Sequence, residues 1–209
     1  EFVKITVLIS GRGSNLQALI ESSKTIDSSF KVVQVISNNP NALGLEFSKN
    51  AGIPYKVIDH LNFKDRESFD TVITKVIESS GAELVCLAGF MRILSSTFID
   101  HWRDRMVNIH PSKLPAFKGL DVHQRVIDSG EKFTGCTVHF VRNEMDTGPI
   151  ICQSTIPVYK NDDKNTLASR VLKKEHQIYP QAINLLAKGR VTLIEEQVLI
   201  DGEIIHPNK

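Results

Sequence analysis

Val3-Lys4-Ile5-Thr6-Val7-Leu8-Ile9, running straight into Ser10-Gly11-Arg12-Gly13-Ser14-Asn15, is the stretch that decides the fold. This seven-residue run, β-branched or apolar at every position but Lys4, forms a strand, and the glycine turn hands over to a helix beginning near Asn15. The same order recurs downstream. Val32-Val33-Gln34-Val35-Ile36 and Tyr55-Lys56-Val57-Ile58 read as further strands, separated by a helical stretch over 42–51 that Gly52 terminates. Phe69, Val72, Ile73, Val76 and Ile77 follow the i, i+3, i+4 spacing of one apolar helix face. Leu84-Val85-Cys86-Leu87-Ala88 then reads as a strand buried on both faces, and 106–110 is the next strand. Repeated βα units of this kind predict an α/β fold, a mostly parallel twisted sheet flanked by helices in the Rossmann-like manner. Ligands in such sheets gather at the carboxyl ends of the strands, where Gly13, Gly89 and His110 all fall.

The second half has a different character. Strands are expected over 136–141 and 150–158, a long helix over 167–187 and a terminal β-hairpin over 191–205. Pro180 inside that helix predicts a kink or a break. With 209 residues and 41% hydrophobic content, the chain is expected to form a single domain, 1–209, with lobes of about 1–110 and about 111–209.

Composition excludes several classes of function. A net charge of +1 with scattered Lys and Arg gives no field for a nucleic acid, while small anions remain open. Apolar runs fall well short of the ~18 residues of a membrane span, and no charged-then-apolar leader opens the chain. Cys86, Cys136 and Cys152 form no C-x-x-C pair and read as free thiols in a reducing, cytoplasmic setting. His110, His123 and His139 match no common zinc spacing, so no metal is expected.

Three segments carry possible chemistry. In 10–15 the glycines let the backbone approach a ligand, and the N–H groups at the helix start face an anion, which suits a phosphate. A tight turn with a capping Ser or Asn fits the same residues. NAD is disfavoured, because Leu16 stands where the dinucleotide fingerprint has its third glycine and Ser37-Asn38-Asn39 offers no ribose acid. Leu87-Ala88-Gly89-Phe90-Met91-Arg92-Ile93-Leu94 suits either a clamp for a flat heteroaromatic ring or an ordinary strand-to-helix connection. In Val107-Asn108-Ile109-His110-Pro111-Ser112, Asn108 and His110 leave the same face of a strand that Pro111 ends. An amide beside an imidazole holds an oxyanion and moves a proton. The loop over 142–148 offers Asp146, a carboxylate able to orient and charge that imidazole, or else a solvated turn acid.

With these residues in view, the chain resembles the folate-dependent formyltransferase family, in its phosphoribosylglycinamide formyltransferase (GAR transformylase) branch. The resemblance runs through the Gly13-Ser14-Asn15 loop, 87–94, Asn108-Ile109-His110-Pro111-Ser112, 135–141, Asp146 with Gly148, and Glu175-His176 followed by Tyr179-Pro180. It implies transfer of a formyl group from the co-substrate 10-formyltetrahydrofolate to the amine of glycinamide ribonucleotide, with Asn108, His110 and Asp146 catalytic. It further implies ribotide binding by Gly13, Ser14, Asn15, Lys173 and Glu175. Folate falls to Arg66, Met91, Arg92, Ile93, Leu94, Asn108, Val141, Arg142, Asn143, Glu144, Met145 and Asp146, with Arg66 meeting its glutamate tail. Two positions depart from the family pattern: Lys113 replaces the usual Leu, and Leu172 falls where a polar residue assists near the phosphate, with Lys173 as the compensating charge. Siblings that formylate methionyl-tRNA or a sugar nucleotide amine share the three catalytic residues and form the alternative. A non-catalytic folate-binding module and a nicotinamide oxidoreductase are the remaining alternatives. Glu1-Phe2 in place of an initiating Met carries the expectation of a segment excised from a multifunctional purine enzyme.

Overall fold

The computed structural model describes residues 1–206. Among them the chain alternates β1 (Val3–Ile9), α1 (Ser14–Ser23), β2 (Phe30–Ser37), α2 (Leu45–Ala51), β3 (Tyr55–Val57), α3 (Arg66–Ser79), β4 (Leu84–Leu87), α4 (Ser96–His101) and β5 (Met106–His110). There follow α5 (Val122–Ser129), β6 (Phe133–Phe140), β7 (Ile150–Pro157), α6 (Lys164–Ala187), β8 (Val191–Ile194), β9 (Gln197–Ile200) and β10 (Glu203–Ile204). Seven strands join in the order β3-β2-β1-β4-β5-β6-β7, and β10-β9-β8 form a second sheet. This is the mostly parallel, helix-flanked α/β sheet expected. Two compact units divide the chain, Glu1–Asn108 and Ile109–Lys209.

In the first unit β1 pairs in parallel with both β2 and β4, and β2 pairs in parallel with β3. Every residue of β4 is buried, which is why its sequence is an unbroken apolar run, whereas the three residues of the edge strand β3 are exposed. Ile73 and Ile77 of α3 are fully buried, so one helical stripe supplies the packing that its spacing promised. Asp65 caps α3 by accepting from Ser68 N at 2.7 Å, and Gly52, at φ 67, ends α2 in the left-handed conformation that glycine adopts without strain.

In the second unit β6 and β7 are antiparallel, with a register shift between Val138 and His139. Helix α6 begins at Lys164, three residues before the sequence reading, because Asp163 and Thr166 form a capping box. Of the kink or break expected at Pro180, the break does not occur: α6 runs on to Ala187. Proline removes one N–H and crowds the preceding turn. Here Ile178, Tyr179, Pro180, Ala182 and Ile183 are all buried, and their packing outweighs that local cost. The expected C-terminal hairpin, β8 with β9, is present and turns again at Asp201-Gly202 into β10. No helix among the described residues is long and apolar enough to cross a membrane.

Candidate active site

The first unit holds three loops at the carboxyl ends of its strands. Gly13, at φ 70, precedes α1, and no side chain caps the start of that helix, a feature shared by anion-binding helix termini. A Cβ on Gly13 would lie 2.6 Å from Gly44 Cα, and Gly44 N donates to Gly11 O at 2.9 Å, so the loop closes against a second glycine. Sequence reading passed over Gly44; its signal was a glycine inside a stretch read as helix. Ser10 Oγ donates to Asn38 Oδ1 at 2.5 Å and accepts from Met91 N at 2.8 Å. One hydroxyl therefore fixes the ends of β1 and β2 to the loop after β4. In that loop Met91 and Ile93 are exposed, Leu94 is buried, and Arg92 lies 5.7 Å over the Phe69 ring. Arg66, the first residue of α3, is exposed and unpaired among the described residues.

Asn108 and His110 occupy alternate positions near the end of β5 and so share a face of that strand. In the second unit His110 Nδ1 lies 3.6 Å from Asp146 Oδ1, an ion-pair distance, with both side chains 7% exposed. His110 Nε2 donates to Phe117 O at 2.9 Å. Since a carbonyl only accepts, Nε2 carries a proton, and Nδ1 is the ring atom that faces the carboxylate. Asp146 holds a left-handed backbone, φ 56, and its Oδ2 accepts from Gly119 N at 2.8 Å. The pairing expected between His110 and Asp146 is therefore present, as a close ion pair.

Around this pair lie two histidines that the sequence raised only as metal ligands, and loop contacts that it did not raise. His139 Nε2 lies 3.9 Å from the same Asp146 Oδ1, and His123 is half-buried on α5 with its Nδ1 enclosed. The loop after β5 is held by Thr137, whose Oγ1 donates to Ser112 O at 2.7 Å and accepts from Leu114 N at 3.1 Å. Gln153 Nε2 adds a bond to Leu114 O at 2.7 Å. The expected strand over 136–141 places Thr137 and His139 two apart, and so on one face, without telling what they meet.

Burial pushes His139 below the ordinary imidazole value, and His123 likewise, with the charge of nearby His110 acting in the same direction on both. A folded-state value below the unfolded one means that the unfolded chain binds more protons below about pH 6.5, so stability is full above that pH and falls as the pH drops. Urea titrations at about pH 7.5 and 5.5 are expected to show the loss, and His139→Asn should shrink it. An undiminished loss in that variant would remove His139 as a cause.

Glu175 is buried on α6, while Lys173 is exposed. Two residues apart on a helix, they leave on different faces, so α6 does not bring them together. Arg142 is 10% exposed and engaged with Glu196, whereas Asn143, Glu144 and Met145 are exposed and Val141 is half-buried. No group of three or more His, Cys, Asp or Glu among the described residues is arranged to hold a metal ion.

The formyl transferase family model matches residues 3–183. A trifunctional purine biosynthetic protein adenosine-3 from Bos taurus is 50% identical over 192 residues, 92% of this chain and 19% of that protein. The chain thus spans between 14% and 19% of the length of the trifunctional relatives it matches. The phosphoribosylglycinamide formyltransferase of Escherichia coli (strain K12) is 41% identical over 205 residues, covering 98% of this chain and 97% of that one. Among solved structures, the phosphoribosylglycinamide formyltransferase of Coxiella burnetii in complex with CHES matches with a TM-score of 0.95 at 40% identity, over 99% of this chain and 97% of that chain.

Proposed function

The chain belongs to the formyl transferase family, and from that premise we propose that it transfers the formyl group of 10-formyltetrahydrofolate to the amine of glycinamide ribonucleotide, a step of de novo purine biosynthesis in the cytoplasm. The observation that carries the reading is the buried His110–Asp146 ion pair two residues beyond Asn108. The substrate amine attacks the formyl carbon, and the oxygen gains negative charge. Asn108 Nδ2 and the Nε2–H of His110 stabilise that charge, the latter exchanging its bond to Phe117 O for one to the substrate. Asp146, facing Nδ1, orients the ring and offsets positive charge that develops on it as the proton moves. The adduct collapses when a proton reaches the folate nitrogen as the C–N bond breaks; the attacking nitrogen loses one, and His110 moves the proton directly or through a water.

The reading gives the ribotide phosphate to the N–H groups of Gly13, Ser14 and Asn15, with exposed Lys173 adding positive charge, and the ribose hydroxyls to Glu175. It gives folate to the backbone and apolar side chains of Met91, Arg92, Ile93 and Leu94, to 141–146, and its glutamate tail to Arg66. Gly13→Ala, which drives a Cβ against Gly44, is expected to raise KM for the ribotide about tenfold or more with KM for folate little changed. Unchanged ribotide KM would move the phosphate elsewhere.

The deciding experiment supplies the purified chain with both substrates and follows formylated ribotide and tetrahydrofolate together. Stoichiometric formation of both is expected. Formylation of methionyl-tRNA or of a sugar nucleotide amine in place of the ribotide would overturn the substrate assignment, and folate binding without transfer would overturn catalysis.

A further inference from the structure

The Arg142 guanidinium is gripped from outside the loop it belongs to. Its Nε donates to Glu196 Oε2 at 2.7 Å and its Nη2 to Glu196 Oε1 at 3.0 Å, the two-point fork that fixes both the distance and the plane of the pair. A third nitrogen, Nη1, donates to Val141 O at 3.0 Å, and the group lies 6.0 Å over the Phe140 ring. Arg142 is 10% exposed although its partner is 53% exposed. Glu196 belongs to the two-residue turn joining β8 to β9, beyond residues 3–183, where the family match ends.

That turn is built from the wrong residues for its shape. Glu195 and Glu196 both hold positive φ, 49 and 65, as a two-residue turn with two left-handed positions demands. Asn-Gly meets that demand with little strain, whereas two adjacent glutamates add backbone strain and like-charge repulsion. A strained backbone kept at one spot points to a side chain required there.

We propose that Glu196 is a positioning residue for formyl transfer: by forking Arg142 at one end of the 142–146 loop, the C-terminal sheet holds Asp146 at the other end in register with His110. The loop is only five residues long, and Asp146 stands in a left-handed conformation with one oxygen on Gly119 N and the other facing His110. Freeing Arg142 lets the loop drift, so folate contact and Asp146 placement weaken together. This inference rests on the formyl transfer reading above.

The test separates turn quality from the fork. Glu195→Asn with Glu196→Gly installs the preferred turn and removes the carboxylate. It is expected to keep or raise the urea midpoint, yet to raise KM for folate and lower kcat, reducing kcat/KM for folate about fivefold, with KM for the ribotide unchanged. Glu196→Gln, which keeps one acceptor, should shift both constants in the same direction but less. Raising salt should raise wild-type KM for folate more steeply than the variant's, which has only the tail's contact with Arg66 left to screen. Wild-type constants in the double variant overturn the proposal. If the wild-type chain transfers no formyl group, the functional reading fails instead, and amide exchange decides the positioning role: loop amides of 142–146 about fivefold faster in the variant uphold it, and equal rates sink it.

Discussion

His110→Ala is expected to lower kcat about a hundredfold to a thousandfold while folate affinity stays near its wild-type value. Without the imidazole the developing oxyanion keeps Asn108 but loses its second donor, and the proton carrier goes with it. Ground-state contacts with folate come from other residues, so the loss falls on the transition state. Asp146 is also left without its His110 partner while only 7% exposed, which adds a stability cost visible in urea. Asp146→Ala should fall by the same order, since the ring loses the carboxylate that faces Nδ1 and fixes its orientation. Steady-state kinetics with folate binding measured separately checks both; either variant within about threefold of wild-type kcat would show that the residue does not stabilise the transition state.

Gly148→Ala is expected to cost about 3 kcal/mol of stability and to damage catalysis with it. A Cβ there would lie 1.7 Å from Phe140 O, a backbone atom that cannot swing aside as a side-chain tip can. Phe140 N donates to Pro149 O at 2.9 Å, so β6 and the chain after Asp146 have to separate to admit one methyl group. Asp146, two residues away, moves with them. Urea midpoints and kcat for the variant test this, and a wild-type midpoint would mean that the strands open more cheaply than their contacts imply.

The parallel half of the fold was legible because its strands are apolar along their whole length and its helices carry a clear stripe; the bounds of β5, read as 106–110, are those observed. The second half was less so. Helix α5 buries only Val122 and Val126 over two turns, too weak a pattern to stand out beside its polar neighbours. Asp201-Gly202 was a signal for β10 that the reading of one hairpin overlooked. At the site, Asn108, His110 and Asp146 were named from residue type and position, and the approach of Asp146 to His110 rests on a tertiary contact. Phe117 O, Gly119 N and Thr137 Oγ1 reach the site through a loop path and a strand register that residue identity does not encode. His139 meets Asp146 just past the register shift in β6, an irregularity that period-two alternation cannot foresee.

The free thiols give the two units separate clocks. Burial pushes the Cys136 thiol far up and Cys152 to about 12, and Cys86 in β4 is fully enclosed, so an alkylating reagent at neutral pH meets almost no thiolate in the native chain. Modification then waits on local opening. Its rate at Cys86 reports how often the amino-terminal unit exposes its centre, and the rate at Cys136 reports the same for the other unit, one reagent reading two opening equilibria in a single sample.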